Sequence, residues 1–443
     1  MPNNLEIAKK YFEIGSKKLD EELYEEAEQQ FISSLNYLPD RVSTLAKLLL
    51  CKIQLRKYND CEKLLAQIEV IDKGYLYGKF AKALYLGEII EFEKSKKELL
   101  SINIENEPIE FKSTYFNCLG TTLYNLNEYE NSILNYKKSI ELNPNNYLAN
   151  YNLGTAYLSK NNFKDGWKYY EYRLEKNNLD ASKYPKDIEE IEEKQILIKH
   201  EQGFGDTIQF SRLIPELKKY NCKIDFLIPK SLNGLFSING VNIINHIDQS
   251  KNYQFEINLM SLPYFLDLDL DQPPQQIPLN PELIIKNINT NKIINIGVAW
   301  SGNENYKFDK NRSINLLSLR KIFELQKTHH INFHCLQKDV RDKDFEYFKE
   351  INMKNFGNLG FFDLSKEILN LDLVISSDTS ILHLSSSLGI KTYGLLGYRA
   401  DWRWLDDDKK YSWYNSLEIF KLKKNQNWED LSNTIVDNII KLI

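Results

Sequence analysis

Cysteine, methionine, proline and glycine are all sparse in this 443-residue chain, at 5, 3, 12 and 18 residues. The cysteines, Cys51, Cys61, Cys118, Cys222 and Cys335, are scattered with no C-x-x-C pair, which argues against a disulfide framework or a zinc site and fits reduced, buried thiols. No apolar run approaches the length that spans a bilayer, and the opening residues MPNNLEIAKKYFEIG hold no apolar leader core. The expectation is a cytoplasmic protein with no transmembrane segment. Excess positive charge is missing too. A formal net charge of -5 argues against nucleic acid as a partner. What remains is ordinary globular composition, 42% hydrophobic and 27% charged, at a length that predicts two or three domains.

The first third repeats itself. Gly120 and Gly154 lie 34 residues apart, and aligning them superposes Leu119 on Leu153, Leu123 on Tyr157 and Tyr136 on Tyr170. That is the tetratricopeptide period of two helices per unit. Each position does a mechanical job. Gly120 lets paired helices approach, the aromatics fill the groove between them, and Pro144 stops the second helix. Tyr11, Ile14, Gly15, Tyr24, Ala27, Phe31 and Pro39 show the same spacing, whereas residues 42–112 keep helical periodicity with a degenerate signature. Four to five repeats are expected over roughly residues 5–175. Such a solenoid offers a concave face to an extended peptide or a partner helix, although a scaffold or dimerisation surface would use the same architecture. An oligomer is compatible with it.

A polar, acidic stretch follows, and near Lys194 the pattern changes to short β-rich runs alternating with helices, as βαβ units require. QILIKH, KIDFLIP, VNIINHI and QFEINLM read as strands, with a helix predicted over TIQFSRLIPELKKY. The proline-dense residues 268–283 mark a connection between lobes. INIGVAW, INFHCLQ, LDLVISS and YGLLG are the strands predicted in the second lobe.

Open α/β sheets bind ligands beyond the carboxyl ends of their strands, so three loops hold the candidate chemistry. The first, HEQGFGDT, offers His200, Glu201 and Asp206 as rival bases, with Gly203 and Gly205 allowing close backbone approach. Capping of the next helix competes with catalysis for Asp206. Ile208 stands where a dinucleotide fingerprint needs its third glycine, which ranks a dinucleotide-dependent oxidoreductase last. The second loop, SGNENYKFDKNRS, carries Ser301, Asn303, Lys307, Lys310 and Arg312. Its cations could neutralise a diphosphate, with Arg312 favoured over the lysines because NRSI returns directly to a helix. In the third, SSDTSILHL, Asp378, Thr379 and Ser380 gather at a helix start, where an anion site and a simple N-cap compete. His383, one turn on, reads in isolation as a packing residue, and no metal-ligand spacing surrounds it.

Taken in order, GWKYYEYR, HEQGFGDTIQFSRLIPEL, VAWSGN…KNRSI, DLVISSDTSILHLSSSLG and DWRWL…SWY resemble the bacterial family in which tetratricopeptide repeats precede a domain like glycosyltransferase family 9, the lipopolysaccharide heptosyltransferases. The resemblance implies a tetratricopeptide α-solenoid followed by a GT-B pair of Rossmann-like α/β lobes, a nucleotide-sugar substrate held mainly by the C-terminal lobe, and no required cofactor or metal. By motif, Asp206 matches the base for the acceptor hydroxyl. Asp378, Thr379, Ser380 and His383 match the segment that holds the donor phosphates, and Arg312, or else Lys307, matches the basic residue of the second-lobe loop. The donor-side set is then Gly203, Gly205, Ser301, Asn303, Lys307, Arg312, Gln337, Asp378, Thr379, Ser380 and His383. Heptosyltransferases have a glycine where this chain has Ser380, and they lack the repeats. The repeats suggest a protein or peptide acceptor, as in relatives that resemble flagellin glycosyltransferases. The expected division is 1–175 repeats, 176–194 linker, 195–275 acceptor-side lobe and 276–443 donor-side lobe. A catalytically inactive adaptor is the competing class.

Overall fold

The computed structural model describes residues 3–177, 181–268, 274, 277–283, 293–306, 308–351, 353–404 and 413–442. The chain divides into two compact units, Met1–Ala156 and Tyr157–Ile443, with the division falling inside the helix Tyr147–Ser159.

The first unit is built from antiparallel helix pairs: Asn4–Asp20 with Tyr24–Tyr37, Val42–Gln54 with Tyr58–Asp72, Leu76–Glu88 with Phe92–Leu100, and Ile109–Asn125 with Tyr129–Leu142. The helix Tyr147–Ser159 is followed by Phe163–Tyr170 in the same order. One backbone device recurs at every intra-pair turn. Glu22, Arg56, Ile90, Asn127 and Asn161 all have positive φ, at steps of 34, 34, 37 and 34 residues. The next N–H along donates back to the carbonyl five residues earlier, as in Leu23 to Lys18, Lys57 to Lys52, Glu91 to Leu86, Glu128 to Leu123 and Asn162 to Tyr157. This is the Schellman closure of a helix C-terminus, and it makes the repeat phase visible even where side chains have drifted. The degenerate stretch 42–112 thus holds two full pairs, and the one irregular step reflects the longer connection between Leu100 and Ile109. A Cβ on Gly120 would meet the Tyr136 ring at 2.7 Å, so the expected close approach at that glycine is present.

The second unit holds two parallel sheets. The first comprises β1 (Gln195–Lys199), β2 (Lys223–Leu227), β3 (Val241–Ile244) and β4 (Phe255–Asn258), in the order β3-β2-β1-β4. The second comprises β5 (Ile294–Ala299), β6 (Ile331–Cys335), β7 (Lys354–Asn355), β8 (Leu373–Ser377), β9 (Thr392–Leu396) and β10 (Leu417–Lys421), in the order β10-β9-β8-β5-β6-β7. Read from β5, that is the Rossmann order, and its neighbour reproduces one half plus the first strand beyond the reversal. The architecture is therefore a helical repeat array followed by paired Rossmann-like lobes. Both sheets are buried parallel cores: Ile196, Leu197 and Ile198 in one, and Ile296, Val298 and Ile375 in the other, are nearly inaccessible.

Two local expectations are modified. The helix expected through Tyr220 is α-helical only over Phe204–Phe210 and continues as a 3₁₀ helix over Ser211–Tyr220. Pro215 lies inside that stretch, where it removes an N–H and its ring crowds the carbonyl four residues back. Beyond YGLLG, the last strand expected, the sheet gains β10, which pairs in parallel with β9.

Candidate functional site

In each lobe the strand order reverses beside the first strand, between β1 and β4 and between β5 and β8. The crevice at such a reversal is where open α/β sheets take ligands. The loops leaving β1, β5 and β8 are the three singled out by sequence.

After β1 the chain turns through Gln202, whose φ is +60°, rather than through a glycine. Its side chain anchors the turn by donating from Nε2 to the Tyr170 hydroxyl at 2.8 Å. Glu201 is fully engaged. Arg173 grips it from Nη2 at 2.7 Å and Nε at 3.2 Å, and the Met260 N–H adds a 2.9 Å bond. A carboxylate so held positions the loop. His200 is half-buried, its Nδ1 has no partner, and burial holds its pKa below the ordinary value. Asp206 occupies the first turn of the helix Phe204–Phe210, where its Oδ2 accepts the Gly203 N–H at 2.8 Å. The capping role is thus real and uses one carboxylate oxygen.

After β5, Gln337 clamps the loop base: its Oε1 accepts the N–H groups of Trp300 and Ser301 at 3.1 and 3.0 Å, and its Nε2 donates to the Ser301 carbonyl at 2.9 Å. Gln337 therefore shapes the loop and has its amide already spent on backbone. Asn303 is exposed and closes a turn onto the Asn305 N–H at 3.0 Å. Lys307 lies outside the described residues. The Arg312 guanidinium sits 4.5 Å over the Tyr306 ring and donates to the Asp378 carbonyl at 3.3 Å, which joins the second and third loops. Gly302 makes room for it, because a Cβ there would lie 2.5 Å from Nη2.

After β8 the helix Ser380–Ser387 begins with no side-chain cap. Thr379 occupies the cap position, but its hydroxyl pairs with Ser376 at 3.2 Å. The simple capping explanation of this motif is not realised. Beside it, the buried hydroxyls of Ser377 and Ser301 have no partner. Burial, and then Asp401, push the Asp378 carboxyl up to about 6, against the pull of the nearby arginines. His383 is buried, accepts or donates at Nδ1 with the Tyr414 hydroxyl at 2.8 Å, and stacks on Trp404. Burial, Arg403 and Arg212 push it down to about 3, so it is neutral at any working pH. It packs between Tyr414 and Trp404.

The loops of opposite lobes meet. A Cβ on Gly205 would come within 2.6 Å of the His383 ring, and Phe204 meets Phe361 edge-on at 5.3 Å. Arg403, which no reading of the loops singled out, crosses the junction. It donates from Nη2 to Asp206 Oδ1, from Nη1 to Asp401 at 2.6 Å and from Nε to Gln209 at 3.1 Å, while its guanidinium lies 4.4 Å over Trp402. Burial raises the pKa of Asp206, and Arg403 opposes that effect. Burial alone would lower the pKa of Arg403, yet Asp401 and Asp206 hold it well above its ordinary value. Trp402 also packs edge-on against Trp167 and Tyr170, so residues that close the repeat signature help build this unit. Trp167 donates to the Leu268 carbonyl at 3.0 Å. The tryptophans of DWRWL were the available sequence signal for this wall.

The structure therefore gathers Asp206, Gly205, Arg312, Asp378, Thr379, Ser380 and His383 around one junction, and gives Glu201, Gln337 and Asn303 structural bonds. Among the described residues no group of three His, Cys, Asp or Glu side chains is arranged to hold a metal, and no helix is long and apolar enough to cross a membrane.

A family model for the tetratricopeptide repeat matches residues 120–161. A TPR repeat-containing protein of Borreliella burgdorferi is 36% identical over 64 residues, 14% of this chain. The chain spans only 26% of the length of that curated relative. Among solved structures, PilF of Pseudomonas aeruginosa is similar over 40% of this chain and 80% of its own, with 16% identity and a TM-score of 0.34. The iron-containing heptosyltransferase TibC, a dodecamer solved with ADP-D-β-D-heptose, is similar over 57% of this chain and 76% of its own, with 11% identity and a TM-score of 0.39.

Proposed function

We propose that the protein is a glycosyltransferase that moves a sugar from a nucleotide-activated donor to an acceptor, with the repeats recruiting a protein or peptide acceptor. One observation carries the reading: Asp206, at the reversal of one sheet, and the uncapped helix start at Ser380, at the reversal of the other, belong to loops in van der Waals contact through Gly205 and His383. In this scheme the donor diphosphate lies against the Ser380 helix start and the Arg312 guanidinium, where oriented N–H groups and a fixed cation stabilise the leaving charge. The orphaned Ser301 and Ser377 hydroxyls supply further donors. Asp206 takes the proton of the acceptor hydroxyl as the acceptor oxygen bonds to the anomeric carbon, and the bond from that carbon to the phosphate oxygen breaks, the nucleoside diphosphate leaving with its electrons. No metal or resident cofactor enters the scheme.

One observation favours an inactive adaptor instead: both first-loop acids, Glu201 and Asp206, are already engaged by arginines. Calorimetric titration with nucleoside mono- and diphosphates, ADP-linked heptose included, tests the donor half, and a sugar-sized mass added to a captured protein, read by mass spectrometry, separates the transferase from the adaptor. Binding that weakens strongly in Arg312→Met supports the transferase. No binding by any member of the panel removes its donor half.

A further inference from the structure

Arg403 reaches Asp206 from 197 residues away in sequence and from the opposite lobe. Its own position is over-determined by Asp401, Gln209, Gln202 and the Trp402 face, and only 7% of its side chain is exposed. Asp206 is held equally firmly, with one oxygen on the Gly203 N–H and the other on this guanidinium.

The other charged groups facing Asp206 are few. From its own loop comes Glu201, which Arg173 of the preceding segment neutralises. From the second lobe comes Asp401, bound to the same Arg403, and across Gly205 lies the neutral His383. Arg403 is thus the one described cation in direct contact with Asp206.

We propose that Arg403 is a positioning residue that fixes the charge state and the rotamer of Asp206 from across the lobe junction, so that the base is assembled only when the lobes are together. The inference rests on the reading of Asp206 as the base. Nothing in the Asp206 loop itself could do this, because its remaining partner is a neutral N–H. An uncompensated carboxyl in so enclosed a place favours its neutral form, and an opposing charge at contact distance works against that preference.

The test reads Asp206 directly and needs no substrate. Aspartate carboxyl carbons are labelled with ¹³C in the full chain, Asp206 is assigned by the resonance lost in Asp206→Asn, and its titration midpoint is followed. Arg403→Met is expected to raise the midpoint by about one unit or more, and Arg403→Lys, which keeps charge and loses the fork, by less. Asp401→Asn, which removes a competing carboxylate, is expected to lower it. An unchanged midpoint in Arg403→Met, or an upward shift of equal size in all three variants, overturns the proposal. Should Arg403→Met not fold, the lysine and Asp401→Asn variants decide it through their opposite signs. Nucleotide titration of the unaltered protein is a separate readout: its failure sinks the transferase reading while the midpoint still reports on Arg403.

Discussion

Gly205 and His383 lie so close that a single methyl group on the glycine would fall 2.6 Å from the imidazole Cδ2. The ring cannot retreat, being bonded to Tyr414 on one edge and stacked on Trp404. Gly205→Ala should therefore force the first-lobe helix off the second-lobe helix. Overpacking of this kind costs about 1–3 kcal/mol. Chemical denaturation is expected to report that loss. Gly203→Ala is the control, because a Cβ there meets only the end of the Asp206 side chain at 3.2 Å.

Arg173 and Glu201 form a largely enclosed bidentate pair. Arg173→Met leaves Glu201, largely enclosed, with only the Met260 N–H as partner, a defect that costs up to about 3–5 kcal/mol. Urea denaturation should show that loss. Mutating both residues to apolar partners should recover much of it, and a double variant no better than the single would contradict the assignment.

Asp378 and His383 give opposite pH slopes. Asp378, pushed up to about 6 from an ordinary value near 3.9, binds its proton more tightly in the folded chain. Its contribution to stability is full at low pH and is lost as pH rises toward 6. His383, pushed down to about 3 from about 6.5, resists protonation when folded, so stability is lost as pH falls from about 6.5 toward 3. Denaturation midpoints between pH 4 and 7 should fall more steeply on acidification in Asp378→Asn and less steeply in His383→Gln. The reverse pattern would refute both assignments.

Ile90 is a β-branched residue at φ +70°, where L side chains other than asparagine and aspartate are strained. Ile90→Gly should stabilise the repeat unit by roughly 0.5–1 kcal/mol, less whatever its half-buried side chain contributes. A thermal midpoint that drops would show that packing outweighs backbone strain there.

Trp167, Tyr170 and Arg173 bind first- and second-lobe residues, so the last helix of the repeat signature belongs physically to the second unit. A fragment of residues 145–443 should melt cooperatively, whereas one of residues 176–443 should lose that transition in calorimetry. Equal cooperativity in both would mean the aromatic wall is dispensable.

Much of this could be read from the chain because the signals are local. The apolar runs of β1, β5 and β8 and the polar loops after them follow directly from burial of parallel strands. The two missed strands lacked that signal: Lys354 and Asn355 are exposed, and β10 is an edge strand with Glu418 and Ile419 facing out. The degenerate repeats kept their turn geometry while losing the residues that advertise it. Arg403 is the instructive omission. Its partner lies in another lobe, and no periodicity or short motif encodes contact at that separation. Gln337 shows the converse: a polar residue at a strand end reads as a ligand contact, yet its amide is consumed by the Trp300 and Ser301 backbone.

The recurring left-handed turn has an evolutionary and practical corollary. Because Arg56 and Ile90 hold the same conformation in the same hydrogen-bonded closure, joining Arg56 directly to Glu91 would excise one repeat length, the helices Tyr58–Asp72 and Leu76–Glu88, and set Phe92–Leu100 against Val42–Gln54 across the same left-handed turn. The array is divisible in whole repeat lengths, so it can lengthen or shorten while the turn between successive helices keeps its geometry.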